Sequence, residues 1–235
     1  MRRLLFLILF LSLLASCSED NEPAIVKQES AGSGIQPELM EDEQEDETIE
    51  WIEFPLEDEQ IIINLQAVPI LKGYLAAAEY PNEKIKKMDL ERIHPELSIY
   101  LLEFSCTKEL CSYLLLNPSE SNKAFLLADM AIFEGMHLSP DEDRMAFEFS
   151  RTSFDRSAAD LIVMDINNWE KLPLLEKEGD KDVLEYQQIL DHVRWIDNDH
   201  LRVETADQMQ TSSENEDISD PGQASNKRTL KIIKK

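Results

Sequence analysis

Hydrophobic and polar positions divide the chain into distinct stretches. Leu4 to Leu14 is an apolar run broken only by Ser12 behind Met1-Arg2-Arg3, and Ser18 to Glu59 is low in apolar residues and rich in acidic ones. From Gln60 onward apolar residues return in short runs, often alternating with polar ones at the period of a half-buried strand. The clearest pair is Met145 to Phe149 and Leu161 to Ile166, two runs of strand length joined by a polar loop. A tight turn, Ser139-Pro140-Asp141, opens the pair. Pro140 presets φ for the second position of a type I turn, and the Asp141 side chain can bond its own backbone.

The same arrangement recurs. Ile93 to Phe104 reads as a turn followed by a strand, like Leu138 to Phe149, with Ile99 aligned to Met145. A third copy is Val193 to Val203, with Leu201 at the matching position. A second strand follows each: Ser112 to Leu116, Leu161 to Ile166 and Thr229 to Ile233. Ile99, Met145 and Leu201 are therefore expected to be equivalent, as are Leu101, Phe147 and Val203, all pointing into the core. Ser-Pro-Asp, a short strand, a polar loop and Asp160-Leu161-Ile162-Val163-Met164-Asp165 resemble one unit of the TolB-like β-propeller repeats. The first copy has His94-Pro95-Glu96 at the turn and the third Ile196-Asp197-Asn198. The resemblance implies an all-β, propeller-like fold of repeated antiparallel meanders in separate packed sheets. The three copies, with a fourth if Ile61 to Ile93 contributes strands, fit a small closed ring, an incomplete stack or a β-sandwich-like fold of the same meanders.

Between these landmarks, Ile61-Ile62-Ile63 reads as a buried strand, and Pro69 to Ala78 as a helix with proline at its first position, ended by Pro81. Ile85 to Ile93 fits helix or strand. Ala206 to Asn226 reads as a long flexible loop, and the lysine-bearing Lys227 to Lys235 as an edge strand.

Leu4 to Leu14 is too short to span a bilayer as a mature helix and follows a basic n-region, as in export signals. It ends in Leu14-Ala15-Ser16-Cys17, which resembles the lipobox of bacterial lipoproteins. The resemblance implies cleavage before Cys17, diacylglycerol on its thiol, acylation (palmitate) of the new amine, and a place on the extracytoplasmic face of the bacterial cell membrane. The implied organisation is a signal peptide at 1–16, a lipidated tether at 17–59 and a β-rich domain at 60–235.

Charge supports that division. The chain carries a net −25, and Ser18 to Glu59 holds sixteen acidic residues against Lys27 alone. Such a segment lacks the apolar surface to offset its ordering entropy, so it reads as disordered and self-repelling. The acidic balance argues against nucleic acid as a partner, since phosphate binding needs a basic face.

Candidate chemistry is sparse. Cys106 and Cys111 flank a four-residue loop between two strands, a separation a disulfide can bridge in an exported protein. Free buried thiols and a redox pair are the alternatives, though redox catalysts favour Cys-x-x-Cys. There is no nucleophile elbow, no His-Glu-x-x-His and no phosphate-binding glycine loop, so no catalytic, metal-binding or cofactor residue is assigned. His94, His137, His192 and His200 stand near the turns at unequal offsets and read as scattered surface histidines. Asp141-Glu142-Asp143 and Asp197-Asn198-Asp199 read as turn residues. Trp51, Trp169 and Trp195 can anchor a partner, with Trp195 reading as core. The expected function is a membrane-anchored, non-catalytic binding or accessory module for an envelope protein or ligand. The alternative is an extracytoplasmic hydrolase with an unrecognised site.

Overall fold

The computed structural model describes residues 24–29, 36–44, 47–94, 96–118, 123–153, 156–176, 190–205 and 226–232. The fold is all-β with antiparallel sheets and two short helices. Its strands are β1 (Ile25–Glu29), β2 (Glu38–Gln44), β3 (Glu47–Pro55), β4 (Glu59–Asn64), β5 (Asp89–His94), β6 (Ile99–Thr107), β7 (Leu110–Asn117), β8 (Lys123–Leu138), β9 (Arg144–Ser153), β10 (Arg156–Asp165), β11 (Glu170–Leu172), β12 (Leu174–Glu176), β13 (Leu190–Asp197), β14 (His200–Thr205) and β15 (Asn226–Ile232). Helices α1 (Pro69–Ala76) and α2 (Pro81–Ile85) each place proline in the first turn, where its missing N–H costs nothing. Pro81 thus opens a second helix, and the ambiguous stretch after it divides between that helix and β5.

The strands form three sheets: β1-β4-β3-β2, then β11-β10-β9-β8-β7-β6-β5, then β12-β15-β14-β13. The first and last share one topology, a meander whose outer position is filled by the strand preceding it. The middle sheet is folded on itself. Its sixteen-residue strand β8 pairs with β7 through its first half and with β9 through its second. The change of partner lies near Met130, at φ 50°, and a register shift between Phe133 and Gly135. Bulges of this kind bend a strand and increase its twist.

Four layers result, with a core cluster between each neighbouring pair. The first cluster joins Ile25, Ile52, Phe54, Ile61 and Ile63 to Tyr100, Leu102, Phe104, Leu114 and Leu116, with Leu71 and Leu75 of α1 closing it. The second lies within the folded middle sheet and joins Ile99, Leu101 and Leu115 to Met145, Phe147, Phe149, Ile162 and Met164. Tyr113, Phe133 and Phe149 stack at its bend, with ring centroids 5.3–6.0 Å apart. The third joins Ala146, Leu161, Val163 and Leu172 to Val193, Leu201, Val203, Leu230 and Ile232.

Four expectations are corrected. The acidic segment up to Glu59 is not an unstructured tether within the described residues, because it supplies β1, β2 and β3. Its few apolar residues fall at alternate positions, so Ile25, Ile52 and Phe54 suffice to bury one sheet face. The repeated strands do not all lie in separate sheets. β6 and β9 share the middle sheet, and only β14 stands apart. Ile99 is not equivalent to Met145, although both are buried, because Tyr100, Met145 and Leu201 are the residues that face the preceding layer. A one-residue slip in aligning strands exchanges their faces. Finally, β15 is an interior strand between β12 and β14. The loop expected over 206–226 falls almost wholly outside the described residues.

Candidate functional site

Polar groups converge where layers meet. Glu59 opens β4 and is buried, yet its carboxylate gathers donors from three other strands. Arg92 Nε of β5 and the Tyr100 hydroxyl of β6 each donate to Oε1 at 2.7 Å. Lys27 Nζ of β1 lies 2.5 Å from Oε2 and also donates to Ser98 Oγ at 3.1 Å. The Arg92 guanidinium sits 6.0 Å from the centroid of the Tyr100 ring. Burial pushes the Glu59 carboxyl upward, but the bonds from Lys27, Tyr100 and Arg92 outweigh it and hold the group below its ordinary value. The bond to Glu59 holds Lys27 and Arg92 in their charged forms, and burial raises the Tyr100 phenol. Oε1 takes both hydrogen bonds and Oε2 faces the Lys27 ammonium without hydrogen-bond alignment, so three strands converge on one carboxylate and the cluster clasps the first sheet to the middle one.

A second convergence lies between the middle and last sheets. Arg144, at the start of β9, is 1% exposed, and its Nη1 lies 3.1 Å from Asp199 Oδ1 in the β13–β14 turn. The pair lacks hydrogen-bond alignment, and Nε and Nη1 have no hydrogen-bond partner. Nearby, Trp195 Nε1 donates to the His137 carbonyl at 3.0 Å, tying β13 to β8.

The turn residues act locally. Ser139 Oγ donates to Asp141 Oδ1 at 2.6 Å and accepts from Arg144 N at 3.0 Å, while Glu142 N donates to the Ser139 carbonyl at 2.9 Å. The Ser139 hydroxyl holds the Asp141 carboxyl below its usual value. Asp197 accepts from Asp199 N at 2.9 Å, and its carboxyl is lowered by that bond and by His200. Asn167 Nδ2 donates to Asp143 Oδ1 at 2.9 Å. These carboxylates shape turns.

The histidines do not converge. His94 is buried rather than on the surface, and its Nδ1 accepts from Leu97 N at 3.2 Å. His137 pairs with Glu148 at 2.5 Å, His200 pairs with Asp197, and His192 is exposed on β13. Trp169 is buried in the second cluster, and Trp51 and Trp195 are half-buried.

Cys106 and Cys111 face each other across the β6–β7 hairpin, with their sulfurs 2.12 Å apart as a disulfide. Ser105 and Lys108, at φ 55° and 60°, accommodate the tight return and the bulge before it. Glu103 brings a carboxylate within 4.8 Å of both sulfurs. That trio is the one grouping of metal-ligand type among the described residues, and bonded sulfurs offer a metal no thiolate. Next to it, Tyr113 is pushed up to about 12, chiefly by burial. A shallow groove of about 230 Å³ lies between β2 and α2, lined by Leu39, Asn82, Ile85 and Lys86 among others.

Cys17 lies outside the described residues, which begin at Ala24. No helix among the described residues is long and apolar enough to cross a membrane. No protein-family model matches the chain, and neither the curated proteins nor the solved structures contain a match to it.

Proposed function

We propose that this chain is a lipoprotein anchored at the extracytoplasmic face of a bacterial membrane through Cys17, carrying a non-catalytic module that binds an envelope protein or ligand. The anchor reading rests on Leu14-Ala15-Ser16-Cys17 behind a basic-apolar leader. The observation that carries the binding reading is that the two main buried ionic convergences link layers. Glu59 is committed to Tyr100, Arg92 and Lys27, and Arg144 to Asp199. The stacked, turn-linked meanders are also in keeping with propeller-type units in an incomplete ring.

With Cys17 lipidated, Ser18 to Pro23 would separate the acylated residue from the first described residue. Such a link reaches about 25 Å when fully extended, at roughly 3.5 Å per residue. The module would therefore sit close to the bilayer. Two or three acyl chains hold such a protein stably, whereas one binds marginally. Intact-mass analysis of membrane-extracted protein should give a chain beginning at an acylated Cys17, and Cys17→Ala should accumulate as unprocessed precursor. A mature N-terminus elsewhere without lipid would end the anchor reading. Capture from membranes with the native form, compared with Cys17→Ala, tests for the envelope partner.

A further inference from the structure

The two end faces of the four-layer stack carry like-charged pairs of opposite sign. On the last sheet, Val193, Leu201 and Val203 point into the third cluster, so Arg194 and Arg202 take the outer face. They stand directly opposite each other across β13 and β14. Lys231 pairs with His200 on the next strand and so lies diagonal to Arg202 on the same face. None of these three cations has an ion pair among the described residues. Glu204 sits toward one end of this face, opposite His192. The exposed Ile196 follows Arg194 at alternate spacing.

On the first sheet, Ile52, Phe54, Ile61 and Ile63 point inward, so Glu38 and Glu53 take the outer face. They too are direct cross-strand partners, on β2 and β3. Glu53 accepts a hydrogen bond from Gln60 at 2.6 Å, and neither carboxylate has an ion pair among the described residues. Half-buried Val26, Trp51 and Ile62 lie on the same side. Like charges placed directly opposite on a sheet destabilise it. Here one such pair is a dicarboxylate and the other a diguanidinium, on the two sheet faces that no further layer covers among the described residues.

We propose that these faces are a plug and socket for a second copy of this chain: the Arg194/Arg202/Lys231 face of one molecule docks on the Glu38/Glu53 face of the next. Stacking would continue across the contact as it does within the chain, where each layer buries its face on its neighbour. The contact is heterologous, so it builds open head-to-tail chains or closes only as a ring. Three or four strands of about 20 Å, spaced about 4.8 Å, offer roughly 400 Å² per partner, the size of a weak contact governed by charge. The inference goes beyond the anchored-module reading and does not require Cys17 to be lipidated.

Sedimentation velocity of the full chain in non-ionic detergent tests it. Association should appear near 0.1 M salt, where a Debye length of about 10 Å screens the repulsion between chains of net charge −25 more than the close contact of the two faces, and vanish near 1 M, where it falls to about 3 Å. Arg194→Glu/Arg202→Glu and Glu38→Lys/Glu53→Lys should each weaken association by at least about tenfold, since both juxtapose like charges. A one-to-one mixture of the two variants restores opposite signs between the exchanged pairs, and its association should return to within about threefold of the original. Neutral Arg194→Gln/Arg202→Gln serves if a reversal fails to fold, and should weaken association less than reversal does. A monomer at about 0.1 M salt, or a mixture no better than either variant alone, overturns the proposal. So does an original chain that stays monomeric while binding an added acidic peptide.

Discussion

At the joint between the first and middle sheets, a buried carboxylate meets donors from three strands. At the joint between the middle and last sheets, a buried guanidinium meets one carboxylate that is itself half in water. Both place a charge where the stack would otherwise be apolar, and the difference lies in how completely that charge is satisfied. Glu59 accepts two hydrogen bonds on Oε1 and has the Lys27 ammonium against Oε2 without hydrogen-bond alignment, whereas the Arg144 Nε and Nη1 have no hydrogen bond and one carboxylate nearby. A buried ion holds elements together when its partners compensate its desolvation, and costs stability when they do not. The first joint should therefore act as a clasp and the second as a tolerated expense.

Between them lies a core interface held by apolar packing, and it sets the scale. Truncating Phe147, fully buried in the second cluster, to alanine should cost about 3–5 kcal/mol in denaturant unfolding. A loss under about 1 kcal/mol would mean that the two halves of the middle sheet do not pack as described.

The clasp comes next. Glu59→Gln should lower stability by about 1.5–3 kcal/mol at neutral pH, the range for hydrogen bonds to a charged group. Because the Glu59 carboxyl is held down in the folded state, its contribution is present above the ordinary glutamate value, about pH 4.3, and is lost as pH falls through the folded value. The variant should show a flatter loss of stability on acidification. An unchanged acid limb would break the contrast between the joints.

The Cys106–Cys111 bridge lies on the strand that carries Tyr100, six residues along it and so about 20 Å from the first joint at ~3.3 Å per residue. Converting both cysteines to serine should cost about 2 kcal/mol by the loop-length relation, and the cost should add to that of Glu59→Gln. Non-reducing peptide mapping should recover the two cysteines in linked form. The smallest effect is expected at the second joint. Arg144→Met should leave stability within about 1 kcal/mol or raise it, as replacement of poorly compensated buried ions often does. A loss above about 3 kcal/mol would show that Asp199 compensates Arg144 as fully as Glu59 is compensated.

Much of the middle sheet was legible in the chain. Ser139-Pro140-Asp141 does open β9, because proline's φ and short acceptor side chains act within a few residues. The pairing of β9 with β10 followed from two period-two runs joined by a short polar loop. The turn-then-strand pattern at Pro95 and Pro140 was legible too, but not its register. Pro95 and Pro140 are 45 residues apart, and carrying that spacing onward aligns Tyr100 with Met145, as the faces require. Aligning Ile99 instead introduced a one-residue gap that periodicity cannot detect, since both faces of β6 are apolar.

The sequence by itself determined local matters: an apolar run over residues 4–14, turns at proline and aspartate, strands wherever apolar residues alternate, and a hairpin short enough to join two cysteines. Only the tertiary structure decided that the acidic segment before Glu59 supplies the strands β1, β2 and β3, that β8 changes partners midway, and that Lys227 to Ile232 runs through a sheet's interior. It also chose which buried charges meet. The physical reason is range. Turn geometry and strand period are set by neighbours along the chain, whereas Glu59 and Tyr100 are 41 residues apart and meet only once whole sheets have stacked.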